Sequence, residues 1–382
     1  MAKTFDIYTT QTAPGSPGTH VLIIGVGDYR SINGASGLVP GMGPLTSPPV
    51  SARKFADWIL TEFRNTECPL ASVAMLISDH ADKSYEIPGS GKKQKLAGAS
   101  TANVKKAVDA WLARGNSSPD NLMIFYFCGH GMAAGMELAL LLDDFGKDPN
   151  EPMQAAIDFR RFYLGMDKCA ARKQVYFIDA CREATSALIE TTGSSGRALV
   201  ETTLQPGPDK KPRQGSVFYA TLAGDAAFSR SGQVSVYTEA LIKALRISAH
   251  CNGPDNIWRV DPPLLTQGIS NIIRLECKRN GLTTLQINPT DISDLTICEL
   301  GKEPAVTVNA CCDPESQNVA ASLGCTDGTN QYKQSVPSLY GWDTELVSGR
   351  YNFFAEVSGK VYKKDEQDPV YPPFKWVKVG VQ

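Results

Sequence analysis

Of the four histidines in this 382-residue chain, only His130 stands directly at the carboxyl end of an apolar run, in Cys128-Gly129-His130-Gly131 after Leu122 to Cys128. The flanking glycines let the backbone turn sharply there and come close to a ligand. His20 precedes the first such run, His80 lies in the loop after the second, and His250 falls near a helix end. Cys181 is the matching case, because the run Gln174 to Asp179 leads into Asp179-Ala180-Cys181-Arg182-Glu183. The thiolate is the nucleophilic form, and a free cysteine titrates at about 8.5, so it needs a basic neighbour. An imidazole within reach takes that proton and later returns one to a leaving group. Singly, a buried cysteine after a strand reads as a small apolar side chain, and a glycine-flanked histidine as a turn. Together, 51 positions apart, they form a candidate nucleophile and base if their strands are neighbours.

The elements that must position them alternate. Val21 to Val26 is a continuous apolar run of the kind shown by a strand covered on both faces. Val73 to Ile77, Leu122 to Cys128, Gln174 to Asp179 and Ser216 to Thr221 are its counterparts, with Leu138 to Leu142 a short addition. Ala52, Phe55, Ala56, Ile59, Leu60 and Phe63 fall on one helical face. Val104, Ala107, Val108, Trp111 and Leu112 repeat that spacing behind a Ser100/Thr101 start signal. Tyr237, Leu241, Ala244 and Leu245 mark a later helix, and Leu265, Ile269, Ile272 and Ile273 another. This alternation predicts an α/β fold over residues 19–295, a doubly wound, mostly parallel sheet flanked by helices. In such sheets ligands sit beyond the carboxyl ends of the strands, where both candidate residues emerge. Residues 1–18 read as a flexible arm, and residues 190–215, rich in Gly, Pro, Ser and charge, as an exposed loop. From 296 to 382 the helical period gives way to short alternating runs. Tyr351, Phe353, Ala355 and Val357 share a face there, so an accessory β-sandwich is expected.

Composition removes several function classes. A formal net charge of -2 offers no basic field for nucleic acid. The longest apolar stretches are strand-length, far short of a membrane span, and the first residues carry no apolar signal region. Ten cysteines without a C-x-x-C spacing read as reduced thiols, which suggests a cytoplasmic location. Gly25-x-Gly27 after the first strand begins a dinucleotide fingerprint, but Arg30 occupies the third glycine position.

The ordered set of motifs resembles the caspase/metacaspase/paracaspase superfamily over roughly residues 20 to 290. The matches are Val21-Leu-Ile-Ile-Gly-Val-Gly-Asp-Tyr, Phe127-Cys-Gly-His-Gly, Asp179-Ala-Cys-Arg and Phe218-Tyr-Ala-Thr-Leu-Ala-Gly-Asp-Ala-Ala-Phe. The known caspase signature also places a histidine about 50 residues before its cysteine. The resemblance implies a cysteine endopeptidase with His130 as acid/base and Cys181 as nucleophile, working through a thioester and without metal or organic cofactor. It implies an oxyanion hole from the backbone N–H groups of Gly131 and Cys181, and a substrate-binding strand and loop containing Ala220, Thr221 and Asp225. Caspases proper carry a glutamine where this chain has Asp179; metacaspases and paracaspases carry an acid there and cut after Arg or Lys. A carboxylate at the pocket floor attracts a cation and repels another carboxylate, so cleavage after a basic residue, Arg above Lys, is expected. The places of further paracaspase pocket acids match Ser51 and Ser229 here, so either Asp225 substitutes or the pocket is less strictly basic; the other reading of Asp179 is a carboxylate held by backbone N–H groups to brace the Cys181 loop. Arg197, Lys210, Lys211 and Arg213 are candidate self-cleavage positions in the 190–215 loop. The expected partners are a protein or peptide substrate and an activating protease or sensor, with no nucleic acid and no membrane. A stress, cell-death or anti-phage role follows by analogy with prokaryotic relatives. A catalytically silent caspase-fold scaffold is the rival reading; such proteins commonly lose the histidine or the cysteine, and this chain has both.

Overall fold

A computed structural model describes residues 5–10, 13, 15–32, 42–134, 137–180, 193–201, 212–221, 231–281 and 286–381. The chain divides into two compact units, Met1–Glu239 with Leu285–Ile297, and Ala240–Thr284 with Cys298–Gln382. The helical stretch after residue 239, which the sequence pattern groups with the α/β body, thus clusters with the C-terminal strands.

The first unit is built on β1 (Asp6–Thr9), β2 (Thr19–Val26), β3 (Leu70–Ser78), a hairpin of β4 (Ser84–Ile87) and β5 (Lys92–Lys95), and β6 (Leu122–Gly129). There follow β7 (Gly131–Ala134), β8 (Glu137–Leu141), β9 (Ala156–Asp158), β10 (Lys173–Ala180) and β11 (Gln214–Thr221). Its helices are α1 (Ser47–Thr61), α2 (Thr101–Gly115) and α3 (Phe159–Gly165), and α4 (Val236–Ile247) begins in this unit. The second unit contributes β12 (Ala249–His250), β13 (Trp258–Val260) and α5 (Pro262–Asn280), while β14 (Gln286–Thr290) returns to the first.

The main sheet runs β1-β3-β2-β6-β10-β11-β14, with the five inner strands parallel and both edge strands antiparallel. Every residue of β2 and β6 is buried, because helices cover both faces. Side chains of neighbouring positions leave a strand on opposite sides, so the two faces can be read from the aromatics. Tyr126 and Phe177 meet Phe55 of α1, while Phe125 and Tyr176 meet Phe162 of α3, and Phe125 also meets Trp111 of α2. The Ser100 side chain accepts the Asn103 N–H and starts α2, as its position in the sequence predicts. The chain leaves β2 through α1 to β3, then crosses through α2 to β6 on the other side of β2. The order therefore reverses between β2 and β6, and the crevice beyond their carboxyl ends is the natural ligand position.

Two expectations change. The arm expected over 1–18 contains β1, which pairs with β3 and is held by a two-bond contact of Arg114 with Asp6 at 2.8 and 2.6 Å. The short strand expected at 138–142 lies in a separate three-stranded sheet, β7-β8-β9, that follows His130.

In the second unit, Asp261 caps α5 by accepting the Leu264 N–H at 2.8 Å, and Gly281 ends it in the left-handed conformation at φ 62°. Strand β15 (Cys298–Leu300) completes a small sheet with β12 and β13. The β region holds β16 (Val306–Asp313), β17 (Ala321–Thr326), β18 (Gln331–Lys333), β19 (Trp342–Leu346), β20 (Gly349–Val357), β21 (Lys360–Lys363), β22 (Asp368–Val370) and β23 (Phe374–Gly380). Its sheets, β19-β16-β23 and β18-β17-β20-β21, share one core containing Val308, Leu323, Phe353, Ala355 and Val379. That is a β-sandwich, and the Tyr351 hydroxyl donates to the Val347 carbonyl at 2.9 Å, bracing the turn into β20.

Candidate active site

Strands β6 and β10 are neighbours in parallel register, with Asp179 opposite Cys128 and Ala180 opposite Gly129. Adjacent strands lie about 4.8 Å apart, so Gly129 and Ala180 end their strands at the same rim. His130 follows Gly129. Cys181 follows Ala180 in the chain and lies outside the described residues, as do Asp225, Ser229, Lys210 and Lys211.

His130 is 8% exposed, and its ring is fixed from two sides. Its Nε2 lies 2.7 Å from the Gly43 carbonyl oxygen, which can only accept, so Nε2 carries a hydrogen, and in the neutral ring Nδ1 keeps the lone pair. The Tyr29 ring packs against the imidazole at a centroid distance of 4.8 Å, and the Tyr29 hydroxyl accepts the His130 backbone N–H at 2.7 Å. A side chain on Gly129 would put its Cβ 2.8 Å from that hydroxyl, so the glycine before the histidine is what admits Tyr29. Gly27 does the same for Leu45, two residues after Gly43 in the chain. Its missing Cβ would stand 2.2 Å from the Leu45 carbonyl, and Leu45 N–H donates to the Gly27 carbonyl at 2.8 Å. The glycines that begin a dinucleotide-like pattern thus serve a crossing of two backbones. Gly43 and Tyr29 are site residues that sequence reasoning did not single out. Tyr29 lay within a quoted motif, whereas Gly43 acts through its carbonyl, which no residue type advertises.

Asp179 is buried, 8% exposed. Its Oδ2 accepts from the Thr238 hydroxyl at 2.6 Å, the Cys128 thiol at 3.3 Å and the Ser235 hydroxyl. Tyr126 and Thr238 hydroxyls are 2.6 Å apart, so with Thr238 donating to the carboxylate Tyr126 donates to Thr238. Burial pushes the Asp179 carboxyl above its ordinary range, and the Ser235, Thr238 and Cys128 donors pull it back. These donors are side-chain hydroxyls and a thiol, not the backbone N–H groups expected of a loop brace. Ser51 is buried, and its hydroxyl accepts the Ser235 N–H at 2.9 Å. Beside β10, β11 pairs in register up to Ile178 opposite Tyr219, and Ala220 and Thr221 continue it one and two residues further.

The other histidines have different work. His20 is buried with Nδ1 2.8 Å from the Ser72 hydroxyl, and burial, with Arg114 nearby, pulls its pKa down to about 4. His250 contacts Asp261 at 2.7 Å, and His80 is exposed. Nine cysteines lie among the described residues, all as free thiols, and burial pushes Cys128 well up and Cys325 to about 12. No helix is long and apolar enough to cross a membrane among the described residues. Arg213 stacks its guanidinium over the Tyr163 ring at 3.8 Å, and Arg197 is tied to β9. A cavity of about 680 Å³ lined by Thr101, Lys105, Arg161, Arg197 and Val200 contains neither His130 nor Asp179.

Residues 19–259, more than half of the chain, match the family model described as Caspase domain. A protein of Sinorhizobium fredii described as "Uncharacterized protein y4kE" is 32% identical over 243 residues, 57% of this chain. The chain spans 66% of that relative's length, just under two thirds. Among solved structures, caspase-1 from Spodoptera frugiperda is 12% identical with a TM-score of 0.40, over 77% of this chain and 96% of that one. The structure of pro-sf-caspase-1 gives the same identity and TM-score, over 74% and 92%. The family match takes in both strands that lead to the candidate residues, and the chain belongs to the Caspase domain family of cysteine peptidases.

Proposed function

We propose that the protein is a cysteine endopeptidase in which His130 and Cys181 form the catalytic dyad. The observation that carries this reading is the register of β6 against β10, which brings the residue before His130 opposite the residue before Cys181. With Nε2–H held by the Gly43 carbonyl, Nδ1 is the basic nitrogen. It takes the Cys181 proton, and the thiolate adds to the peptide carbonyl. The backbone N–H groups of Gly131 and Cys181 hold the developing oxyanion, a contribution of about 3 kcal/mol per donor. The imidazolium then gives its proton to the leaving amine, a thioester remains, and water activated by His130 releases the acid. The Gly43 carbonyl stabilises the imidazolium in both halves of the cycle.

Specificity for a basic residue before the cut, Arg above Lys, rests on Asp179. Its environment among the described residues is a buried carboxylate with three neutral donors and no ion pair, an anion best completed by a guanidinium or ammonium group. The substrate is a protein or peptide, and activation by a protease or sensor partner fits the family. A panel of fluorogenic peptides ending in Arg, Lys or Asp tests the reading. Hydrolysis of the Arg peptide, abolished by Cys181→Ala, is the expected result. Preference for Asp overturns the specificity, and no turnover of any peptide by chain in which Cys181 is intact and reactive favours a scaffold.

A further inference from the structure

Part of the segment read from sequence as an exposed loop, residues 195–200, is docked. Arg197 N–H donates to the Ala156 carbonyl and Asp158 N–H donates to the Arg197 carbonyl, both at 2.9 Å, so residue 197 bridges in parallel to Ile157 at the edge of β9. The Ser195 hydroxyl donates to Asp158 Oδ2 at 2.8 Å, while Oδ1 of the same carboxylate accepts the Arg161 N–H that starts α3. Arg197 Nε donates to Gln154 Oε1 at 2.7 Å. Beyond it Ala198, Leu199 and Val200 are buried to 2%, 7% and 5% exposure.

Two glycines make the contact possible. Gly196 has φ 119°, and a Cβ there would stand 2.5 Å from the Ala156 carbonyl. A Cβ on Gly165, at the end of α3, would stand 1.8 Å from the Val200 carbonyl. Leu199 is held at φ 53°, a conformation a free linker would leave, since it is strained for a side chain of this kind. A peptide enters a protease cleft in extended form with its backbone groups available for pairing. Here the N–H and C=O of Arg197 are both engaged, and the three residues after it are buried.

We infer that residues 195–200 are a strap that withholds the Arg197–Ala198 bond from cleavage until it undocks, making that bond a latent processing site. The docking stands on its own geometry; its role in self-processing rests on the protease reading above. When the strap lifts, the step is ordinary hydrolysis. The Arg197 carbonyl passes to the Cys181 sulfur as the Ala198 nitrogen leaves with a proton, and water then frees the Arg197 carboxylate.

The test uses full-length Cys181→Ala protein and limited trypsin, so that docking is read without the chain's own activity. In this parent, early digests should lack a product beginning at Ala198. Gly165→Ala and Ser195→Ala, each added to the parent, should raise that cut by about tenfold or more, because proteolysis of a transiently opened segment follows its open population. An early cut after Arg197 in the parent overturns the strap, as does a cut in the variants that rises only in step with every other tryptic site. Two variants on different sides of the contact guard against one failing to fold. Active enzyme carrying Gly165→Ala should then yield a new Ala198 N-terminus. If it cleaves no peptide at all while the trypsin result holds, the protease reading fails and the strap survives.

Discussion

In the proposed enzyme the environment of Asp179 bears on both stability and specificity. An acid raised by burial binds its proton more tightly in the folded chain than in the unfolded one. Stability from this group therefore falls as pH rises from 3.8 through the raised folded value, then levels. Urea unfolding across that range should show this slope in the parent and lose it in Asp179→Asn. A bound cation pulls the carboxyl back down, so KM for an Arg peptide should fall as pH rises over the same interval. In Asp179→Asn that dependence should vanish, with kcat/KM for the Arg peptide lower by on the order of a hundredfold, the cost of stranding one charge of a buried pair. His20 gives the opposite slope. Its folded pKa of about 4 lies below the ordinary 6.5, so the folded chain binds fewer protons there. Its contribution is complete above pH 6.5 and is lost as pH falls toward 4, a change of about 3 kcal/mol. Equilibrium unfolding of His20→Gln should be flatter over that window; an unchanged slope assigns the pH dependence to other groups.

At the scale of elements, the site depends on a loop crossing over the carboxyl end of β2. Gly27→Ala places a methyl where the Leu45 carbonyl now lies, which must shift the segment holding Gly43 over His130. A loss of about 1–3 kcal/mol in stability is expected from such overpacking. Activity should fall by more than the unfolded fraction explains, measured as kcat in conditions where the variant is fully folded. Equal kcat in folded variant and parent would mean that Gly43 does not orient the imidazole. The inner strands were legible because burial on both faces writes an unbroken apolar run, as in Val21 to Val26 and Leu122 to Cys128. Strand β1 was not, since four residues at an edge need only one buried side chain, Ile7, and its anchor is an ion pair with Arg114 more than a hundred positions away. The strap was illegible for a related reason. Glycine and serine signal loops by type, whereas here Gly196 and Ser195 are required by contact with Ala156 and Asp158.

Across the whole molecule, two distant segments must converge on one rim, and sequence alone shows only that each is a strand end. The histidine and cysteine could be picked out because both follow buried strands at a spacing the family shares. The proposed pairing depends on strand order, in which β6 and β10 sit side by side although α3 and the β7-β8-β9 sheet intervene in the chain. The division into units was harder to read. The period of α5 is helical and resembles that of the body, yet the helix clusters with the C-terminal strands. The pairing of imidazole and sulfhydryl is tested most directly by the pH dependence of Cys181 alkylation by iodoacetamide, followed by peptide mapping, in the parent and in His130→Ala. Fast alkylation well below the free-thiol value of about 8.5, lost in His130→Ala, is the result expected of a thiol whose proton an adjacent base accepts. Alkylation that rises only near that value, identically in both proteins, contradicts the dyad.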